Sequence, residues 1–401
     1  MSSFRTLWDS LAPIGDTGAG WVRPSWSTVD LKCREWFSAQ ARTRDLAVET
    51  DRNGNLWAWW GTPSAGGAVV TGSHLDSVPR GGAYDGPLGI VSALLAVDAL
   101  RADGLARPAR PIGIVAFTEE EGARFGVPCL GSRLLTGALD PARARELRDL
   151  GGETLAGAMS AAGEDPSALG PDPARLRAIG TFVELHVEQG RGLAHLGEPV
   201  GVASAIWPHG RWRLEFTGEG NHAGTTRMAD RRDPMLALAR AVLVADAEAR
   251  RRGGHATVGR VSVEPNATNA IASRATAWLD ARAPDDATLS ALVAAVEAGA
   301  RERAALDGTT VSVAAESVSP VTSFDGGLRD RLADLLGGAP VLPTGAGHDA
   351  GVLAAHVPTA MLFVRNPTGV SHSPAEYATD VDCEAGVAAL ATVLAHLAGD
   401  R

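Results

Sequence analysis

Cysteine is scarce in this 401-residue chain: Cys33, Cys129 and Cys383 form no CxxC pair and are odd in number. That argues against a disulfide scaffold and for a reducing cytoplasm. Long apolar runs are lacking too. The N-terminal stretch MSSFRTLWDSLAPIGDTG has no apolar core of a secretory signal. No window approaches the roughly 20 consecutive apolar residues of a membrane span. There is no basic surplus either: 37 Lys and Arg against 47 Asp and Glu leave a formal charge of −10. A general nucleic-acid binder is therefore not expected, which leaves a local cationic pocket for a small anionic ligand. HExxH and GxSxG are also missing, so neither a helical zinc protease nor a nucleophile elbow is indicated.

What is present is the balance of a large globular protein, 45% hydrophobic and 21% charged. The length is about twice that of a common domain, so two domains are the default. Residues 27–48 read as an amphipathic helix capped by Ser27 or Thr28. VETDRNGNLWAWWGT reads as two short strands about an Asn-Gly turn. AVVTGS is a buried strand, GPLGIVSALLAVDALRADG a helix, and RPIGIVAFT another strand. That order predicts an α/β domain with a mainly parallel sheet, whose ligands bind at the C-terminal ends of strands. Residues 138–180 read as helical and polar, and TFVELHVEQG returns to strand character. From residue 207 the order becomes β-α-β-β-α-β, a ferredoxin-like α+β unit. The α/β texture resumes with GLRDRLADLLGG, TAMLFV and CEAGVAALATVLAHLAG. The expectation is a catalytic domain of residues 1–206 and 321–401, interrupted by an inserted domain of residues 207–320.

Chemistry-bearing residues gather at the strand ends. GSHLDSVPRGGAYDGPLG brings His74, Asp76 and Asp85, with His74 and Asp76 sharing a face if the strand is regular. A carboxylate beside a histidine fixes the ring tautomer and frees the other nitrogen for a metal. The ordinary alternatives are a junction histidine and an N-cap aspartate. FTEEEGARFG places Glu119, Glu120 and Glu121 directly after a strand. Three adjacent carboxylates repel unless something positive sits among them, or unless they form a solvated turn. His186 in VELHVEQG, His348 and Asp349 in PTGAGHDAG, and His372 and Glu376 in GVSHSPAEY complete the set. His/Asp/Glu mixtures suit zinc or another first-row divalent ion, with room for more than one.

These segments, with NHAGTT…RRDP, TGAGHDA and GVSHSPAE in the same order, resemble the two-metal amidohydrolase group. That group comprises allantoate amidohydrolase, N-carbamoyl-L-amino-acid hydrolase and beta-ureidopropionase, and is related to aminoacylases and two-zinc carboxypeptidases. The resemblance implies Asp85 as the carboxylate bridging two ions, His74 and His186 on one ion, and Glu120 and His372 on the other. It implies Glu119 as general base, with Asp76 orienting His74. It also implies Gln189, His222, Asn269, Arg282 and His348 about the substrate. His222 would stabilise an oxyanion and Arg282 would grip an α-carboxylate. His186, where peptidase branches usually carry a carboxylate, is similar to the carbamoyl-hydrolase branch. Two divalent ions per subunit are implied, zinc first and manganese, cobalt or nickel as alternatives. Domain closure over the substrate and a homodimer through the inserted domain are implied as well.

Several positions depart from the group's pattern. Ala272-Ser273 stand where Pro-Gly is common, Arg227 where Pro is usual, and Gly351 where a larger polar residue is frequent. The expected activity is metal-dependent hydrolysis of a linear C–N bond in allantoate or an N-carbamoyl-L-amino acid. Deformylation or deacylation of N-formyl- or N-acyl-L-amino acids is the alternative. A dipeptidase and a non-catalytic metal-binding protein rank below these. Arg227, Arg231, Arg232 and Arg365 are candidates for a second anionic group on the substrate, unless they pair with neighbours such as Asp230 and Asp233 or face solvent.

Overall fold

The computed structural model describes residues 4–64 and 66–399. The chain divides into two compact units, residues 1–205 with 323–401 and residues 206–322. The first half of the chain contributes strands β1 (Ala47–Thr50), β2 (Leu56–Trp60), β3 (Ala68–His74), β4 (Ile112–Phe117), β5 (Ile179–Val187) and β6 (Val200–Ile206). Strands β7 (His209–Thr217), β8 (Asn221–His222), β9 (His255–Glu264), β10 (Ala270–Ile271), β11 (Arg274–Arg282) and β12 (Thr310–Ser319) follow. Strands β13 (Thr322–Ser323), β14 (Val341–Thr344) and β15 (Thr359–Val364) return to the first unit's sheet.

That sheet runs β1-β2-β4-β3-β5-β15-β6-β13, with β14 also on β6. Its centre is parallel, because β3 pairs in parallel with β4 and β5, and β15 in parallel with β5. β3, β4 and β15 are buried at every position, the near-continuous apolar reading of strands covered on both faces. Helix Pro87–Ala102 packs on the sheet through twelve buried residues, and helix Asp380–Ala398 lies beside it. By length and mean hydropathy alone, Asp380–Ala398 is apolar enough to cross a membrane. Half of that stretch is buried inside the protein, so the apolarity serves the core.

The second unit carries a four-stranded antiparallel sheet in the order β12-β7-β11-β9. Helices Pro234–Arg252 and Asp286–Leu306 cover one face through Ala237, Leu238, Ala241, Leu292 and Val296. Trp212, Leu214 and Phe216 alternate inward along β7 toward that layer, the period-two pattern of a sheet with one dry face. This is the ferredoxin-like arrangement anticipated from the order of elements.

Helix Thr28–Arg42 is capped by the Ser27 side chain. Residues 138–180 resolve into three short α-helices, Pro141–Arg145, Leu155–Ala161 and Pro173–Ala178, with a 3-10 turn at Pro166–Ala168. Two are opened by an Asp-Pro pair and the third by Thr154. Strands β6, β13 and β14 and the short β8–β10 ladder were not legible in the sequence.

Candidate metal centre

Parallel strands β3, β4, β5 and β15 end on one edge of the first unit's sheet, and the candidate residues collect there. His74 is the last residue of β3, and His186 lies one residue before the end of β5. The loop after β3 returns Asp85 to them. Its turn is held by Glu376, whose Oε1 accepts the backbone N–H groups of Tyr84 and Asp85, both at 2.9 Å. Gly86 caps helix Pro87–Ala102 with no side-chain bond, so Asp85 is not spent as an N-cap. Gly86 has φ +83°, and a Cβ there would overlap the His74 ring. Only glycine meets both conditions.

Asp85 stands between two groups of donors. Its Oδ1 lies 3.4 Å from His74 Nε2 and 3.2 Å from His186 Nε2. Its Oδ2 lies 3.4 Å from His372 Nε2, which is 3.4 Å from Glu121 Oε2. Gln189 Nε2 donates to Asp85 Oδ2 at 2.7 Å, and Ser371 Oγ lies 3.3 Å from the same oxygen. His74 Nδ1 faces the carbonyl of Asp76 at 3.0 Å, and His186 Nδ1 faces the carbonyl of Val187 at 2.9 Å. Each carbonyl accepts a hydrogen bond from Nδ1–H, so in the neutral rings Nε2 is left bare toward Asp85. Both Nε2 atoms are buried and make no hydrogen bond.

The three glutamates separate in space. Glu121, not Glu120, joins Asp85 and His372. Glu120 Oε2 lies 3.6 Å from His74 Nε2, and Cys129 Sγ reaches its Oε1 at 3.4 Å. Glu119, expected as the base, adopts φ +54° and turns back into its own loop. Its Oε1 accepts from the backbone N–H of Arg124 at 2.9 Å and of Phe125 at 2.7 Å. In position, Glu121 therefore stands beside His372 where Glu120 was expected, and Glu119 is engaged within its own loop. The physical reason is the left-handed turn at Glu119, which reverses the chain directly after β4. Asp76 stands against His74 as expected, its Oδ1 3.6 Å from His74 Nδ1, and it has a second task. Its carboxylate holds the loop by accepting from Glu120 N at 3.2 Å and Glu121 N at 3.1 Å, while its backbone carbonyl orients His74.

Burial and charge pull these groups in opposite directions. Burial opposes a charged His74, yet Glu120, Asp85 and Asp76 raise its pKa well above the usual range. Burial pushes Glu121 up to about 7, with the Asp85 charge acting in the same sense. Glu119 and Glu376 are each pushed to about 7, again by burial first. A dense set of buried carboxylates and imidazoles is the usual company of a cation.

Behind His186 lies a supporting layer that the sequence reading missed. Glu184 accepts from Ser73 Oγ at 2.9 Å and from Ala350 N at 3.0 Å. His348, expected at the substrate, is buried with its ring 4.5 Å from that of His186. Burial and the neighbouring His186 hold His348 well below the usual histidine range. Glu184 was detectable as the residue two before His186 on the same strand face.

The remaining expected residues belong to the second unit. His222 is exposed on β8, and its Nδ1 accepts from Gly224 N at 3.0 Å, so its neutral ring carries the proton on Nε2. Exposed Asn269 accepts the N–H of Ala223 at its backbone carbonyl, 2.9 Å. Arg282, at the end of β11, donates from Nε to Asp280 at 3.0 Å. Of the four candidate arginines, Arg227 pairs with Asp230 at 2.6 Å and Arg365 with buried Asp382 at 2.7 Å. Arg231 bonds the carbonyls of Ala223 and Thr226 at 2.6 and 3.1 Å. Arg232 lines a polar hollow with Glu219 and Asp307.

The sequence pattern of Peptidase family M20/M25/M40 matches residues 70–396. The chain belongs to that family. This M20 chain is 38% identical over 399 residues to the N-carbamoyl-L-amino acid amidohydrolase of Geobacillus stearothermophilus, covering 96% of each. It is 34% identical to the allantoate amidohydrolase of Escherichia coli K12, covering 96% of this chain and 95% of that one. In fold it is similar to the crystal structure of an amidase of the hydantoinase/carbamoylase family from Burkholderia multivorans. There the TM-score is 0.89 at 31% identity, with 99% of this chain and 98% of the other covered.

M20 enzymes are metal-dependent, and the residues here fit that requirement. Two buried Nε2 atoms without a hydrogen bond face one carboxylate, which costs stability unless a cation receives them. His74, Asp85 and His186 form one cluster of ligand atoms, and Asp85, Glu121 and His372 form another. Imidazole and carboxylate donors in threes suit a first-row divalent ion with a coordination position left over.

Proposed function

We propose that this M20 amidohydrolase cleaves a linear amide or ureido C–N bond in a small anionic compound, with allantoate or an N-carbamoyl-L-amino acid first. The observation that carries the reading is Asp85, which offers one oxygen to His74 and His186 and the other to His372 beside Glu121. In this reading His74, Asp85 and His186 hold one ion, and Asp85, Glu121 and His372 hold a second, zinc first. Bound there, the ions supply Lewis acidity toward the scissile carbonyl and acidify water.

The chain's own groups do the rest. Glu120, buried beside His74, takes the proton from the attacking water and passes it to the leaving nitrogen. Glu119 shapes the loop that presents Glu120 and Glu121. Asp76 fixes that loop from the other side. His222, with its proton on Nε2, is the proposed donor to the tetrahedral oxyanion, and Arg282 the proposed partner of an α-carboxylate. Gln189 and Asn269 are assigned to the substrate's amide groups, and His348 to the wall behind His186. The second unit is assigned as lid and homodimer contact, and the cytoplasm as location.

Two relatives support the substrate class by their names, one an N-carbamoyl-L-amino acid amidohydrolase and one an allantoate amidohydrolase. The testing experiment is a panel of allantoate and of N-carbamoyl, N-formyl and N-acetyl amino acids. Ammonia and free amine are read with and without zinc, manganese, cobalt and nickel. Turnover that needs no divalent ion would remove the metal reading. Preference for N-formyl or N-acetyl substrates would move the assignment to a deacylase.

A further inference from the structure

We infer that Arg191 is a specificity-determining residue that receives a second, distal carboxylate on the substrate. The inference rests on the proposed hydrolysis of an N-carbamoyl-type compound and deepens it by naming a dicarboxylic class. Arg191 follows β5 and stands two residues after Gln189, whose amide donates to Asp85 at 2.7 Å. Its stem lies flush on Gly369, where a Cβ would overlap Arg191 Cγ. Gly369 has φ +69° and precedes His372 by three residues. One side chain is thus seated between the loop carrying Gln189 and the loop carrying His372.

The neighbouring acceptors are committed elsewhere. The carboxylate of Glu188 accepts from Gly192 N at 2.6 Å and Leu193 N at 3.0 Å. The Asn366 side-chain oxygen accepts from Thr368 N at 3.1 Å and Gly369 N at 2.9 Å. Arg191 is an exposed residue, and among the described residues its guanidinium has no ion pair. By contrast, three of the four arginines singled out in the sequence are bound to Asp230, to Asp382 or to backbone carbonyls. An unpaired guanidinium presents a planar fork matched to a carboxylate. Its place beside Gln189 and the His372 loop suits the distal acid of an N-carbamoyl dicarboxylic amino acid.

The test compares N-carbamoyl-L-glutamate with N-carbamoyl-L-alanine on the metal-loaded, full-length enzyme. Arg191→Ala is expected to raise KM for the glutamate compound by about tenfold to a hundredfold, the range for a lost charge-assisted pair. KM for the alanine compound and kcat for both should stay within about twofold. Arg191→Lys should recover part of the loss, and Arg227→Ala should leave the ratio unchanged. Gly369→Ala, which displaces the Arg191 stem, should shift the ratio in the same direction as Arg191→Ala. Equal effects on both substrates, or none, would overturn the inference. Calorimetric binding of N-carbamoyl-L-glutamate to wild type and Arg191→Ala reads this residue without turnover. Wild type that binds the ligand but hydrolyses neither compound sinks the proposed function alone. Equal binding by the two proteins sinks the role of Arg191.

Discussion

Glu376 Oε1 receives the backbone N–H of Asp85 at 2.9 Å, across 291 residues of sequence. A C-terminal carboxylate thereby fixes the turn that aims a central ligand candidate. Glu376→Ala should weaken divalent-metal affinity by about tenfold to a hundredfold, the usual cost of losing a group that orients a ligand. Glu376→Gln, which keeps an acceptor oxygen, should cost less. Metal titration with a competing chelator reads both variants, and equal affinities would show that the turn holds itself.

Glu120→Gln and Glu119→Gln should behave differently. If Glu120 carries the proton, Glu120→Gln lowers kcat by about 10²- to 10⁴-fold while metal content stays near wild type. Glu119→Gln still offers an oxygen to the N–H groups of Arg124 and Phe125, so it should retain most of kcat. Elemental analysis beside steady-state kinetics decides the matter. The reverse ranking would return the base to Glu119.

Gly86→Ala would place a methyl group on the His74 ring and an L residue at φ +83°. The backbone strain alone is worth about 1–3 kcal/mol. The variant should show a lower melting temperature and reduced metal uptake together. Normal metal uptake would mean that the His74 ring can move aside.

The pH dependence of stability in chelator follows from the raised pKa values. Glu119, Glu121 and Glu376 rise from 4.5 to about 7, and His372 rises from 6.5 to about 9. For these four groups the native state binds more protons between the unfolded and folded values, so their contribution falls as pH rises and outweighs His348, whose lowered pKa acts in the opposite sense below about pH 6.5. The window runs from about pH 4.5 to about pH 9. Melting temperatures should drop across it in chelator, and added zinc should flatten the trend. A chelated protein whose melting temperature rises between pH 5 and 7 would contradict these carboxylate shifts.

Much of this was legible in the sequence because buried parallel strands are short, apolar and bounded by turn residues. His74, His186 and His372 stood out because each falls at the end of such a strand or in the loop after it, and Asp85 because it closes the glycine-rich loop between β3 and the next helix. Three adjacent glutamates could not be sorted by spacing, since the φ of Glu119 decides which carboxylate faces which way. Glu184 was hidden by being read as ordinary strand polarity, though its carboxylate ties Ser73 to Ala350 beneath His186. The antiparallel β6 escaped because VGVASAI, though as long as β3, dilutes its apolar residues with Gly, Ala and Ser. Arg191 was overlooked because Gln189, two residues before it, already stood for that loop's part in binding substrate.

The second unit leaves the sheet after β6 and rejoins it at β13, and these strands are neighbours. The excursion of more than a hundred residues therefore begins and ends on adjacent threads of one fabric. Such an insertion is a cassette. Its exposed surface can diversify, by exchange of residues such as those around His222, without re-threading the strands that hold His74 and His186. The inserted unit and the strands that carry His74 and His186 can then change on separate clocks within one chain.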